Sequence, residues 1–351
     1  MEIFFLGEDF APVAQPVDAV ESLVWTRRYF ACGSFSMKLA PGAPCDVRAV
    51  KYVLNSSSGE VAGVDRVLWS EGAFTLSGRM LESLLDRRVV VGTAYMTGPI
   101  ETLVRIVVRQ NLLDARILPR FKMGEEQKFP DRGGLAYGWE NLSDWTYSAL
   151  RPYGMSYRIT LDGETGDLVF SVVRGLDRTT EQEERAPAVF SDRAGNIASA
   201  EYERDETEHR NMAYVRSGDG YVENYRGSEV SGLERRELYV SARDVYFSGE
   251  GTASDHAEHL RARGSAALAK YPVTEIVRGV AADDGDLRYR RDYDLGDLCE
   301  VRLESAGISA KVRITSVDEV YENGSMRAYP AFGNEELSLS SYIKREIGKG
   351  I

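Results

Sequence analysis

The chain has 351 residues, 43% hydrophobic and 10% aromatic, with 43 Lys+Arg against 55 Asp+Glu and a formal charge of −12. That exceeds what one core usually serves, so two to four subdomains are expected, and the acidic balance argues against a surface that holds nucleic acid by neutralising phosphates. Three scattered cysteines (Cys32, Cys45, Cys299) without CxxC spacing indicate neither a disulfide scaffold nor a zinc site, and no apolar run approaches the roughly 20 residues that span a bilayer.

The start MEIFFLGEDF carries an acid at Glu2 and lacks the basic opening and long apolar core of a secretory signal, so a soluble protein is expected. Ile3 to Leu6 reads as a short strand. Glu21 to Tyr29 turns through Ala31-Cys32-Gly33 into Ser34 to Leu39, where Phe35, Met37 and Leu39 alternate with polar residues, so a hairpin with a buried aromatic side is expected and Trp25 is its largest anchor. Val47 to Leu54, the polar tip Asn55 to Gly59, Val61 to Ser70 and Phe74 to Ser77 continue the sheet. Met80 to Arg88 pairs Met80 with Leu84 and Leu81 with Leu85, predicting a short helix before a Val89 to Val91 strand.

From Pro99 the periodicity turns helical. Leu103, Val104, Val107 and Val108 within Ile100 to Leu113, and Leu142, Trp145 and Ala149 within Asn141 to Leu150, predict two helices. The glycine-rich stretch Phe121 to Gly138 between them reads as loop, and Ser156 to Thr160 with Leu168 to Val173 as a hairpin. Thr179 to Arg185 (TTEQEER) reads as a solvated linker. Strands are expected at Val189 to Ser191, Ile197 to Tyr202, Met212 to Arg216 and Glu237 to Ala242, and a helix at Ser254 to Tyr271, stopped by Pro272.

The stretch from Asp292 to Gly333 carries the clearest pattern. Cys299, Val301 and Leu303 alternate with Glu300, Arg302 and Glu304, and after the Ser305-Ala306-Gly307 turn Ile308, Ala310, Val312 and Ile314 alternate with polar residues, predicting two antiparallel strands, each with one wet face. Past Ile314 the apolar phase slips to Val317 and Val320, the signature of a bulge that bends a sheet toward closure. Asn323-Gly324 suits a tight hairpin turn, and Pro330 predicts an edge position for the following strand. Leu337 to Glu346 is expected to form a short terminal helix. The fold class expected is α+β, mainly antiparallel β, with β-barrel-like domains at 1–98 and 188–351, an α/β insertion at 99–187 and a few short helices.

Candidates for chemistry are sparse. His256 and His259 share a helix face but lack a third ligand, and their spacing is not that of zinc peptidases, so an exposed face is expected; His209 is expected to be solvated. Asp283, Asp284 and Asp286 lack the bidentate Glu of a calcium loop and read as an acidic turn. Cys32 reads as a packing residue, and Trp145 as core, while Trp139 and Tyr137 are aromatics that could stack on sugars. There is no GxSxG, P-loop or GxGxxG after a strand. No catalytic, cofactor-binding or metal-binding residue is assigned and no cofactor is expected.

The ordered segments WTRRYFACGSFSMKL, GRMLESLLDRRVV and DLGDLCEVRLESAGISAKVRITSVDEVY, ending in AFG, resemble the siphophage tail proteins first grouped from a Rhodococcus phage, relatives of tail-associated and baseplate-hub proteins. The resemblance runs from about Trp25 to Gly333, and its specificity lies in the order and spacing of the segments. It implies β-barrel hub domains that form a ring, typically a homotrimer, closing the tail tube at the virion tail tip after assembly in the host bacterial cytoplasm. The partners it implies are the distal tail protein, the tail tube or tape-measure end, and tip or fibre proteins, with DNA passing transiently through the lumen and no stable nucleic-acid binding. Longer relatives carry an extra carboxy-terminal region, and this chain, stopping at Ile351, is expected to be the hub module alone and not an enzyme. The rival readings are a cell-wall hydrolase built on a pair of acids and a glycan-binding adhesin.

Overall fold

A computed structural model of the chain describes residues 2–13, 20–40, 46–246, 252–281, 286–322 and 325–333. Six strands come first: β1 (Ile3–Leu6), β2 (Val20–Arg28), β3 (Ser34–Leu39), β4 (Tyr52–Asn55), β5 (Glu60–Ser70) and β6 (Ala73–Met80). There follow α1 (Ser83–Asp86), β7 (Thr93–Pro99), α2 (Ile100–Arg109), β8 (Phe121–Met123), β9 (Arg132–Gly138), α3 (Leu142–Leu150), β10 (Met155–Leu161) and β11 (Leu168–Arg174). The last part holds β12 (Val189–Ser191), β13 (Ile197–Asp205), β14 (Met212–Arg216), β15 (Tyr221–Tyr225), β16 (Glu237–Ser241), α4 (Ala253–Ala269), β17 (Thr274–Ala281), β18 (Leu298–Leu303), β19 (Ile308–Glu322) and β20 (Ser325–Gly333). Mainly antiparallel β with a few short helices is the class the alternation predicts.

The chain forms two compact units, one of Met1–Met80, Gly175–Arg204 and Thr274–Ile351, the other of Leu81–Arg174 and Asp205–Val273. This differs from the three-part division expected at 98/99 and 187/188. The reason is non-local: α4 packs on β14 and β15 and also against β9 and α3, so residues 205–273 join residues 81–174 across the intervening Gly175–Arg204, which belongs to the other unit.

In the first unit one sheet runs β1-β4-β5-β6-β3-β2-β19-β20-β17-β13, with β18 and β12 branching from β19. Its core gathers Ile3, Phe5, Leu23, Trp25, Phe35, Met37, Leu39 and Leu76. Trp25 is fully buried, 5.6 Å from the Phe35 ring, as the alternation predicts, and its Nε1 donates to Glu60 Oε2 at 2.9 Å. The predicted phase slip is a bulge between Ile314 and Ser316. It falls where β19 changes neighbours: Ile308 to Arg313 pairs with β18 and Ser316 to Glu322 with β2. Thr315 at the changeover accepts the Tyr29 amide at 2.9 Å.

Several expectations are corrected here. The strand holding Pro330 is interior, because β17 pairs on its far side from Ile276↔Gly333 to Arg278↔Ala331, ending one residue short of the proline that has no N–H to give. Met80 ends β6, paired with Ala62, since Gly78 lets the strands cross where a Cβ would lie 1.8 Å from Gly63 O. Only Ser83–Asp86 is helical, and Val89 forms a single bridge to Asn141 instead of a strand. Finally, the wet faces and the linker are less wet than predicted: Glu300 and Thr179 are buried, because Thr180 donates its amide (2.7 Å) and hydroxyl (2.5 Å) to Glu300 Oε1.

In the second unit α2 buries Leu103, Val104, Val107 and Val108, and α3 is capped by Asn141, whose side chain accepts from the Ser143 and Asp144 amides. Phe121 to Gly138, read as loop, contains β8, parallel to β11, and β9, antiparallel to β7. The glycines there serve packing: a Cβ on Gly134 would meet the Tyr95 hydroxyl at 2.1 Å. The sheet β15-β14-β16 lies on α4 through Ala213, Val215, Leu260 and Leu268. The Asn323-Gly324 turn, Cys45 and the Leu337 to Glu346 helix lie outside the described residues, although Glu322 and Ser325 pair as a hairpin there requires.

Candidate functional site

The residues singled out for chemistry are mostly engaged in structure. His256 and His259 are half-buried on α4, not exposed as expected, and the His259 ring stacks on Tyr95 at 5.4 Å. Burial, with Arg263 and His256 nearby, pushes the His259 pKa down. His209 Nδ1 lies 3.1 Å from Tyr271 O, so this side chain is fastened and not simply solvated. Cys32 is half-buried, its Sγ within 3.3 Å of Gly33 O. Trp145 is core, with Nε1 donating to Ala136 O at 2.8 Å, and Tyr137 meets it edge-on at 6.1 Å. Trp139 is exposed at a positive φ of 47°. Asp283 and Asp284 lie outside the described residues. Among the described residues no three His, Cys, Asp or Glu side chains converge as a metal would require, and no helix is long and apolar enough to cross a membrane.

A dense polar cluster is one that residue patterns did not reveal. Glu319 on β19 is fully buried, with Oε1 accepting from Tyr289 Oη (2.8 Å) and Arg290 (2.5 Å) and Oε2 from Tyr321 Oη (2.7 Å). Beside it Arg27 on β2 donates to Glu60 Oε1 (2.7 Å), Asp294 Oδ1 (2.6 Å) and Tyr289 Oη (2.5 Å). Burial alone would lower the Arg27 pKa, but Glu60, Tyr289 and Asp294 outweigh it and hold the guanidinium charged. Burial also pushes the Tyr289 phenol up, and the Tyr321 phenol to about 12. Every one of these carboxylates faces a donor. The cluster binds the 286–297 loop to the sheet and offers no free acid or base to a substrate.

The second unit has a cleft of about 210 Å³ between β9, α3 and α4, lined by Leu135, Ala136, Trp145, Pro152, Tyr153 and Ala262. Its lining carries no charged side chain. The solvent face of the β15-β14-β16 sheet is aromatic: Tyr221 and Tyr239 are 64% and 60% exposed, and Tyr214 and Tyr225 lie half-buried beside them. Arg235 donates to both Tyr214 (2.9 Å) and Tyr225 (3.0 Å) hydroxyls and to Glu237 (2.6 Å), which fixes the rings without closing the face. In the first unit the distal half of β5 exposes Val67, Leu68 and Trp69.

Residues 2–334 match the family described as Siphovirus ReqiPepy6 Gp37-like protein. The chain belongs to this family. No curated protein matches it. Among solved structures, the fold of this Gp37-like chain is similar to that of the prophage tail protein gp18 from Listeria monocytogenes EGD-e (TM-score 0.54, 12% identity, 99% of each chain covered). It is also similar to the tail protein from Neisseria meningitidis MC58 (0.52, 13%, 95% and 96% covered). The 43 kDa tail protein of prophage MuSo2 from Shewanella oneidensis shares it as well (0.52, 14%, 95% and 98%). The Gp37-like chain thus has a phage tail-protein fold from end to end.

Proposed function

We propose that the protein is a non-enzymatic structural component of a long-tailed phage, a hub at the tail tip. Its copies, three in number, form a ring that closes the tail tube and carries tip or fibre proteins, against the distal tail protein and the tube or tape-measure end. The observation that carries this reading is likeness to tail proteins over the whole length of both chains, not over one borrowed segment. An acidic excess of −12 fits a lumen through which DNA slides without adhering, because like charges repel phosphate. Imaging of the particle tests the hub: a closed ring of this chain at the tip is expected. A zymogram on peptidoglycan tests the absence of turnover, with no clearing expected.

One observation favours a second reading. The rigid tyrosine face of the β15-β14-β16 sheet, with Glu223 and Glu237 beside it, is the kind of surface on which sugar rings stack and donate hydroxyls, so host-glycan recognition is the alternative. Binding of the isolated protein on a glycan array, lost on Tyr221→Ala, would favour it.

A further inference from the structure

β5 changes character half-way along. Ala62 and Gly63 pair with both β4 and β6, and Val64 N donates to Lys51 O at 2.8 Å, but from Arg66 to Ser70, after a bulge between Val64 and Arg66, β6 is the strand's one partner among the described residues. Six residues, Asp65 to Ser70, therefore present roughly 20 Å of open backbone edge, and all six are exposed. Val67 stands opposite Leu76, in the hydrophobic core, and Trp69 opposite Phe74, which packs half-buried against that core. The core face of the sheet thus runs on past its last covering strand into solvent, with Val67 42% and Trp69 63% exposed on it and Leu68 41% exposed on the reverse. The chain protects a neighbouring edge differently. Along β1 the loop folds back, Val13 N donating to Phe5 O at 2.9 Å and Leu6 bridging Pro12. An uncovered, apolar strand edge invites another strand.

The same sheet ends at β13, which has β17 as its one neighbour among the described residues. From Ala200 to Tyr202, and again at Arg204 and Asp205, β13 is exposed on both faces. Alternation puts Ala200 and Tyr202 in one row and Glu201 in the other. The two edges match: Val67 and Trp69 fit the Ala200 and Tyr202 row, and Arg66, on the Leu68 side, fits Glu201. We propose that the Asp65–Ser70 half of β5 is the surface onto which a second copy of this chain adds the open edge of its β13. The contact joins two different surfaces, so repetition generates a closed ring when the rotation permits. The inference deepens the ring reading above and rests on it.

Native mass spectrometry and sedimentation of the full chain test it, with thermal melts confirming the fold. Wild type is expected to assemble. Trp69→Ala and Arg66→Glu are each expected to weaken assembly on the order of tenfold or more with an unchanged melt, and Glu201→Arg is expected to restore assembly in the Arg66→Glu background. If Trp69→Ala disturbs the melt, Leu68→Ala repeats the test on the reverse face. Variants that assemble like wild type would overturn the surface while leaving the ring intact. Weakened variants without rescue by Glu201→Arg would overturn the assignment to β13. A wild-type chain that is monomeric in solution and present as a lone copy in the particle would overturn the surface and the ring together.

Discussion

The first unit fastens a loop with charge, whereas the second centres on stacked rings. Around the fully buried Glu319, the side chains of Tyr289, Arg290, Tyr321 and Arg27 meet from three separate segments in a partly buried ionic cluster. In the second unit Tyr157 is equally buried, but it lies 4.5 Å from Tyr147 and 5.5 Å from Phe170, with its hydroxyl 2.9 Å from Ser143 Oγ. Apolar packing stabilises in proportion to area and tolerates small changes of shape. A buried ionic cluster contributes little net stability over an apolar one of equal volume, yet breaking it is severe, because the stranded partner has lost its water. The first unit should therefore fail abruptly when one member of the cluster is removed, and the second only in proportion to the atoms lost.

The sharpest way to break the contrast is Glu319→Ala, which leaves Arg290 and two phenols without their acceptor; a loss of about 3–5 kcal/mol in denaturant unfolding is expected. Trp25→Ala, in the apolar core of the same unit, is expected to lose about 3–5 kcal/mol by cavity formation and the unpaired Glu60 oxygen. Hydrogen exchange should then show protection falling in the first unit for both.

Acid titration sharpens the comparison next. Burial would raise the Glu300 pKa, but Thr180 and Arg302 overcome it and hold the carboxyl at about 2, against an ordinary 4.5. Its contribution is complete above pH 4.5 and disappears as pH falls from there toward 2. Melts across that window should show a loss on the order of 1–2 kcal/mol after solvent screening, absent in Glu300→Gln. The smallest effect belongs to the second unit: Tyr157→Phe keeps the stack and removes one buried hydroxyl, for about 1 kcal/mol.

Much of the fold was legible where period-two alternation is local. Cys299 to Ile314 announced two strands, and the slip to Val317 announced the bulge at the point where β19 changes partners. What escaped the pattern is set by segments far apart in the chain. Nothing near Pro330 indicates that β17 will arrive on its far side, and the parallel pairings of β12 with β18 and β14 with β16 leave no turn between the partners to read. Glu319 lies past the phase slip, between Val317 and Val320, where nothing in the local pattern marks a carboxylate for burial; Tyr289 and Arg290 come down on it from a loop some thirty residues earlier. The open edge of β5 was hidden for the same reason, since Val61 to Ser70 looks like any strand until β4 is seen to end beside Gly63. A signal for it did exist in the consecutive Val67, Leu68 and Trp69, three large apolar residues where one wet face is expected.

Cryo-electron microscopy of the intact virion, at a resolution that traces this chain, addresses the central claim most directly. The account predicts several copies closed into a ring at the tail tip, adjacent copies meeting along the distal half of β5. A particle whose tip lacks the chain, or holds it as a single copy apart from any ring, would contradict it.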